Sequence, residues 1–329
     1  MKFPYAMLRD FVDTKLNADE IGDLLTMAGF ELEGIEEVEG DAVLDIKVVS
    51  NRGDGLSVFG LSREVLAKDA ESKPTDLYKR AADRFPSVNT PTGAFPIRIE
   101  TPDCTRYVGS VLQGVKNGDA PDWIQKRLRQ AGLRPISLLV DLTNYLLLEL
   151  GQPLHVFDLK KLEGPEIVVR SARVGEKLTT LNGDEHELRD GQMMICDSTK
   201  PVAVAGVMGG LESEVSASST DVLLESAHFV NTSVRRTRKQ LGLNTEASYR
   251  FERSVDPELA LAAQKRFAEL IHELGAGEVV SVTEVVSSPP VPREIQVSVS
   301  RAEMLLGMDI GPAQARAYLE RLGFKVGAS

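Results

Sequence analysis

The stretch SLLVDLTNYLLLELG, residues 137–151, sets the strongest limit on what this chain can fold into. It reads as a mostly buried helix closed by Gly151, so other elements have to cover it. It cannot span a membrane, because Glu149 halts Leu146-Leu147-Leu148 and a span needs about 20 apolar residues. Asp141, Thr143 and Asn144 interrupt it, where their local hydrogen bonding makes them mediocre helix formers. They either cap and cross-link neighbouring backbone or serve a site.

At 329 residues the chain has room for two or three domains. Strands and helices are interspersed without alternating one for one, which predicts an α+β, multidomain fold rather than a doubly wound sheet. Residues 1–75 form a small N-terminal α/β domain. Asn17 and Glu20 make a capping box, Leu16 and Ile21 a hydrophobic staple, and Gly29 ends the helix before a strand at Phe30. A strand, an Asn/Arg/Gly/Asp turn and a helix follow. Residues 76–94, polar and weakly periodic, read as a linker.

Residues 95–288 form a mixed central domain. FPIRIETPDCTRYVGSVLQGV gives two strands around a polar turn, and a helix follows Pro121 and stops at Gly132. Asn182-Gly183 predicts a type I′ hairpin turn. DVLLESAHF is a strand, a helix is capped at Asn231 or Thr232, and PELALAAQKRFAELIHELGAG is a long amphipathic helix. After the hinge SSPPVPREI, residues 289–329 give a strand, a short helix and a helix from Pro312 to Gly323. There YLERLGFKV echoes the corner LLTMAGFEL near the start. A tail this small rarely holds a sufficient core, so the chain is expected to stop inside a third, helix-rich domain.

The net charge of −11 excludes a global basic field, so any nucleic-acid contact needs a local basic surface. VRRTRKQLGLNTEASYRFER supplies one with Arg235, Arg236, Arg238 and Lys239, although charge runs on helices are usually solvated faces. Cys104 and Cys196 stand apart from any CxxC or Cys/His cluster, against a disulfide scaffold or structural zinc. MKFPYAMLRDF has Arg9 and Asp10 inside its would-be apolar core, unlike a signal peptide. A cytoplasmic location is expected.

Three further stretches place chemistry where packing alone does not ask for it. GQPLHVFD holds His155, one of four histidines, which is either a satisfied core or rim residue or a site residue. AVAGVMGG, with Gly206, Gly209 and Gly210, is either a tight sheet corner or a place where a ligand approaches backbone. It is no P-loop, since no Gly-Lys-Ser/Thr follows. Glu225 lies among Val, Leu and Ala in a strand, so it is paired, hydrogen-bonded or at a solvated strand end. HExxH and GxSxG are absent.

Together RYVGSVLQGV, PDWIQKRL, AGLRPISLLVDLTNYLLLELGQPLHVFDLKKL, AVAGVMGGLESEV and GLNTEASYRFERSVDP resemble the β subunits of bacterial phenylalanyl-tRNA synthetases, in the family's order over most of residues 96–288. The resemblance implies an editing domain that hydrolyses tyrosine wrongly esterified to tRNA(Phe). Synthesis would lie on the α subunit of an αβ heterotetramer, with ATP and Mg²⁺ used there and no cofactor or metal on this chain. It also implies roles. Glu225 would accept the tyrosine hydroxyl, and Gly209, with Gly210, would contact the aminoacyl group. Thr245 and Ala247 would form the pocket wall, with Thr143 and Asn144 lining the same cavity. His155 would sit beside the ester as the catalytic candidate. Arg134 would face the terminal nucleotide of the tRNA, and Arg235, Arg236 and Arg238 would hold its phosphates.

Two departures stand out. EGIEEVEGDAVLDI runs straight through where the family carries an inserted OB-fold, and Gly53 and Gly55 stand where Pro and Cys are usual. The tail would begin a truncated winged-helix-like domain. The alternatives are a non-catalytic tRNA-binding or subunit-assembly module, and a free-standing trans-editing hydrolase.

Overall fold

The run EGIEEVEGDAVLDI folds as a single hairpin, because Glu39 and Gly40 both take positive φ, 50° and 78°, as a two-residue type I′ turn requires. In the computed structural model, which describes residues 1–86 and 95–327, this hairpin anchors the first unit. Its elements are β1 (Lys2–Pro4), α1 (Tyr5–Arg9), β2 (Val12–Asp13), α2 (Ala18–Met27), β3 (Glu31–Val38), β4 (Asp41–Lys47), α3 (Val58–Lys68), β5 (Lys73–Pro74) and α4 (Asp76–Ala82). β1, β4 and β3 form an antiparallel sheet in that order. α2 opens on the expected capping box: the Asn17 side chain accepts from the Glu20 amide at 3.0 Å, and Glu20 accepts from the Asn17 amide at 2.8 Å. Ile21, Leu25 and Phe30 then pack with Phe3, Met7 and Leu44 in a closed apolar core.

The stretch read as a linker, 76–94, holds structure in its first part. Thr75 caps α4 by accepting from the Tyr78 amide, and Leu77, Ala81 and Phe85 recur every four residues. Ala81 and Phe85 are buried. The polar residues between them are paired with the central unit, Arg80 with Glu269 and Arg84 with Asp256 at 2.6 Å. Residues 87–94 of that stretch lie outside the described residues.

The two unusual glycines sit where this unit meets the next. A Cβ on Gly53 would lie 2.3 Å from the Arg253 carbonyl oxygen, and one on Gly55 would lie 2.2 Å from Phe30 Cε1. Any side chain at either place would force the loop off its seat.

The central unit has two sheets. Its elements run β6 (Ile97–Ile99), β7 (Cys104–Gln113), α5 (Asp122–Gln130), α6 (Leu138–Leu150), β8 (Leu154–Asp158), β9 (Ile167–Ser171), β10 (Lys177–Thr179), β11 (Glu185–Glu187), β12 (Met193–Cys196), β13 (Pro201–Val204), β14 (Met208–Gly209), β15 (Val222–Phe229), α7 (Asn231–Leu241), α8 (Glu246–Phe251), α9 (Leu259–Glu273) and β16 (Glu278–Val286). One sheet is antiparallel in the order β16-β7-β15-β8; the other runs β14-β13-β12-β9-β6, with β6 and β9 parallel. The two strands read around a polar turn, β6 and β7, therefore part into different sheets.

Strand alternation decides what each face of the four-stranded sheet meets. Ser110 faces α9, where Leu261, Gln264 and Ala268 surround it. Tyr107, Gly109, Glu225 and His155 share the opposite face, against the second sheet. A Cβ on Gly109 would lie 2.8 Å from Ile97 Cδ1 of β6. α6, the helix that limited the fold, packs against α3, α5, β8 and α9.

Three local expectations change. The Asn182-Gly183 hairpin joins β10 to β11, but only Gly183 has positive φ, 87°, and Thr180 pairs with Asp184. The loop has three residues with glycine last, rather than a two-residue type I′ turn. α7 starts one residue before Thr232, with Val230 as its cap. In the tail, the expected strand is absent among the described residues: 287–298 carry no ladder, and only α10 (Val299–Leu306) and α11 (Gly311–Arg321) form. A strand needs a partner to take its hydrogen bonds, and none lies beside it. The echoed corner is real: Phe30 N donates to Leu25 O at 2.9 Å and Phe324 N to Leu319 O at 3.1 Å. Phe30 is sealed, whereas Phe324 is 57% exposed.

Candidate functional site

His155 comes to its place through a helix end. Gly151, at φ 80°, closes α6, and after Gln152 and Pro153 the chain enters β8. β8 pairs with β15 so that His155 stands directly opposite Glu225, with Gly109 of β7 on the other side of Glu225. Side chains so paired lie about 5 Å apart at Cβ on one face. Gly209 of the second sheet closes over the histidine, for a Cβ there would lie 2.4 Å from His155 Cε1. The Phe157 ring meets the imidazole edge-on, centroids 4.6 Å apart.

Both groups are set for neutral-pH hydrogen bonding rather than ion pairing. Burial pushes His155 down to about 4, so its imidazole is uncharged at pH 7. Burial likewise pushes the Glu225 carboxyl up to about 8, with Tyr107 offsetting part of that rise. Glu225 is thus a mid-strand, buried acid, not a solvated strand end. Glu225 Oε2, His155 Nε2 and the Tyr107 hydroxyl each lack a well-formed hydrogen bond. Three buried polar atoms left open on one sheet face invite a ligand with matching groups.

The sign of the Glu225 shift gives a test. A carboxyl whose folded pKa is raised stabilises the fold fully below its unfolded pKa, and that stabilisation is lost as pH rises towards about 8. Glu225→Gln is therefore expected to gain stability over the parent as pH goes from 5 to 8. The gain should reach about 1–2 kcal/mol by thermal unfolding, since relaxation absorbs part of the burial penalty. Equal curves at both pH values would contradict a buried, neutral acid.

α8 is anchored to the segment that carries Gly209. Thr245 caps it, accepting from the Ser248 amide at 3.0 Å, and donates to Val207 O at 2.7 Å, so that α8 is tied to the AVAGVMGG segment. Ala247 is half-buried in the first turn of the same helix. Arg250, 2% exposed, donates to Leu56 O at 3.1 Å and to Glu246 O at 3.1 Å, joining α8 to the first unit. Gly210 is tightly packed: its amide donates to Val202 O, and a Cβ would lie 2.5 Å from that oxygen.

Other expected residues have hydrogen bonds or exposure of their own. Thr143 gives its hydroxyl to Val140 O, and Asn144 is half-buried; among the described residues no hydrogen bond ties either to His155 or Glu225. Arg134 is exposed between α5 and α6. Of the basic cluster, Arg238 is held by Glu252 at 2.7 Å and Arg236 donates to Gly191 O at 3.0 Å, while Arg235 is exposed. A cavity of about 280 Å³ opens elsewhere, among Lys161, Lys177, Lys200 and Glu212, and shares only Gly210 with the site. Its lysines are largely neutralised, Lys177 by Glu185 and Lys200 by Glu212.

Sequence reasoning missed Tyr107 and Leu181. Tyr107 was signalled by the alternation Tyr107, Gly109, Val111 on one strand face. Leu181, whose amide donates to Gly209 O at 3.0 Å, was signalled by an apolar residue inside a turn. Among the described residues, no cluster of His, Cys, Asp and Glu is placed to hold a metal, and no helix is long and apolar enough to cross a membrane.

Known proteins resemble this chain in sequence and in fold. The B3/4 domain model aligns with residues 103–276. The phenylalanine–tRNA ligase β subunit of Carboxydothermus hydrogenoformans is 44% identical over 302 residues, 91% of this chain and 37% of that protein. That of Moorella thermoacetica is 45% identical over 290 residues, 87% and 35% respectively. That of Rhodopirellula baltica is 38% identical over 331 residues, 100% and 48%. The chain thus spans less than half the length of these relatives. Among solved structures, an N-terminal fragment of the phenylalanyl-tRNA synthetase β subunit from Pyrococcus horikoshii shares the fold, with TM-score 0.50 and 15% identity over 100% of this chain and 90% of that one. With more than half of its residues aligned to the B3/4 model, the chain belongs to the B3/4 domain family, alongside the phenylalanine–tRNA ligase β subunits that resemble it over most of its length.

Proposed function

We propose that this chain is the editing part of a phenylalanine–tRNA ligase β subunit and hydrolyses tyrosine esterified to tRNA(Phe). The observation that carries the reading is the pairing of His155 with Glu225 on one buried sheet face, both with unsatisfied polar atoms, under Gly209. A pocket that must tell tyrosine from phenylalanine needs a buried group that a hydroxyl satisfies. Such a site rejects the analogue lacking the hydroxyl by about 10⁴–10⁵-fold, because its own polar atom is otherwise left unpaired. Glu225 meets that need.

The chemistry asked of the chain is modest. Water adds to the ester carbonyl, the bond to the ribose oxygen breaks, and that oxygen takes a proton. His155, uncharged, accepts a hydrogen bond from the water or steadies the ester, and backbone amides stabilise the oxyanion. Thr245 and Ala247 wall the aminoacyl group, and Thr143 and Asn144 line the same cavity. Arg134 and Arg235 are the cations best placed for RNA phosphates, with Arg236 and Arg238 as partly committed members of that surface. The partner is an α subunit, where ATP and Mg²⁺ serve amino-acid activation; hydrolysis needs neither. The setting is the cytoplasm.

Purified chain is expected to release tyrosine from Tyr-tRNA(Phe) faster than it releases phenylalanine from Phe-tRNA(Phe). His155→Ala should slow release about tenfold. Glu225→Ala should remove the preference for tyrosine. Unchanged release in both variants would sink the reading.

A further inference from the structure

Tyr107 is fully buried in β7, yet its hydroxyl has no well-formed hydrogen bond. Phenylalanine would fill the same volume without the penalty of a stranded polar atom, so the hydroxyl needs a reason. The register supplies a neighbour. Tyr107 pairs with Ala227, and Gly109 pairs with Glu225, which puts the phenol diagonal to the carboxyl on the same face. Diagonal neighbours are within reach of long side chains. Gly109, between them in the row, has no side chain to separate the two groups, and Ile97 and Leu223 close the space above it. Burial, with Glu225 nearby, pushes the Tyr107 phenol above its usual range, while burial raises the Glu225 carboxyl and Tyr107 offsets part of that rise.

We propose that Tyr107 is a specificity-positioning residue: its phenol donates to one oxygen of Glu225 and thereby turns the other towards an incoming phenol. This rests on the hydrolytic reading above and names a group that sets its selectivity. A neutral carboxyl accepts at its C=O oxygen and donates from its O–H, so the internal phenol and a tyrosyl ligand occupy separate oxygens. A phenylalanyl ligand leaves the second oxygen bare in a dry site. Without Tyr107 the carboxyl is free to rotate, and its orientation towards the ligand is lost.

The test is Tyr107→Phe in the purified chain. Steady-state deacylation of Tyr-tRNA(Phe) should show KM raised about tenfold with kcat within about threefold, so that discrimination against Phe-tRNA(Phe) falls about tenfold. The Glu225 carboxyl, followed without RNA by its infrared C=O band against Glu225→Gln, should titrate at higher pH in the variant, because the Tyr107 bond favours the ionised form. Unchanged discrimination and an unchanged titration overturn the proposal. Equal loss for both aminoacyl-tRNAs with a lowered melting temperature overturns it too, since that is the mark of packing alone. If the parent chain releases no tyrosine, the hydrolytic reading fails, and the titration alone decides whether Tyr107 holds Glu225.

Discussion

Gly209→Ala is expected to lower tyrosine release about 100-fold while leaving the chain folded, because small displacements of a reacting group are worth factors of that size. The added Cβ would stand 2.4 Å from His155 Cε1 and 2.6 Å from Nε2, distances at which the ring has to move. Phe157 blocks one escape edge-on, and Glu225 stands across the strand pair. The imidazole is therefore pushed outward, off any position from which it orients water. The stability penalty is small, since the atoms in the way belong to side chains that are not sealed, His155 and, at 3.1 Å, Leu181. Gly210→Ala makes the contrast. There the Cβ would strike the Val202 carbonyl at 2.5 Å, a backbone atom inside a sheet, so the loss should appear first in melting temperature. Release rates and thermal unfolding of the two variants separate a site glycine from a packing glycine. A parental rate in Gly209→Ala would remove the observed ring position from any account of hydrolysis.

That division was half legible in the sequence. AVAGVMGG announced close approach but not to what, since its partners come from β8, 54 positions before Gly209, and from β13. The same holds for the centre of the site. A carboxylate among Val, Leu and Ala was visible in DVLLESAHF, and a histidine after a helix end was visible in GQPLHVFD. Their meeting depends on the register of two strands far apart in sequence, which local periodicity does not encode. Family resemblance supplied the link that local pattern could not. Local rules did well where the determinants were local, as in the Asn17–Glu20 capping box and the Gly151 helix end. They failed where side chains redirect the backbone. Thr180 donates to Asn182 Oδ1 at 2.6 Å, and that oxygen also accepts from the Asp184 amide at 3.3 Å, shaping a three-residue loop from a dipeptide that usually makes a shorter one. They failed again at α4, whose stripe of Leu77, Ala81 and Phe85 was overshadowed by charges that pair across units.

The second large effect lies at a buried pair next to those cross-unit charges. Arg266→Ala is expected to destabilise the chain by about 3–5 kcal/mol, the range for removing one partner of a buried pair. Glu149 of α6 is 0% exposed and accepts from Arg266 at 3.2 Å and 3.3 Å, and from the Tyr145 hydroxyl at 3.2 Å. Without Arg266, only Tyr145 stays bonded to a carboxylate with no access to water. The relay extends both ways. Arg127 donates to the Tyr145 hydroxyl at 3.0 Å and pairs with Asp10 of the first unit at 2.5 Å. Glu269 accepts from Arg266 at 2.6 Å and is shared with Arg80, again from the first unit. Cutting the centre therefore both strands Glu149 and loosens the docking of the first unit. Urea unfolding of Arg266→Ala reads the total. The pair Glu149→Leu/Arg266→Met should recover most of the loss, because an apolar pair of similar volume removes the stranded charge. Recovery with normal unfolding but weakened docking of residues 1–86, followed by limited proteolysis, would locate the remaining role of the charges in orienting the two units. A loss below about 1 kcal/mol in Arg266→Ala would mean that water reaches Glu149, contrary to its burial here.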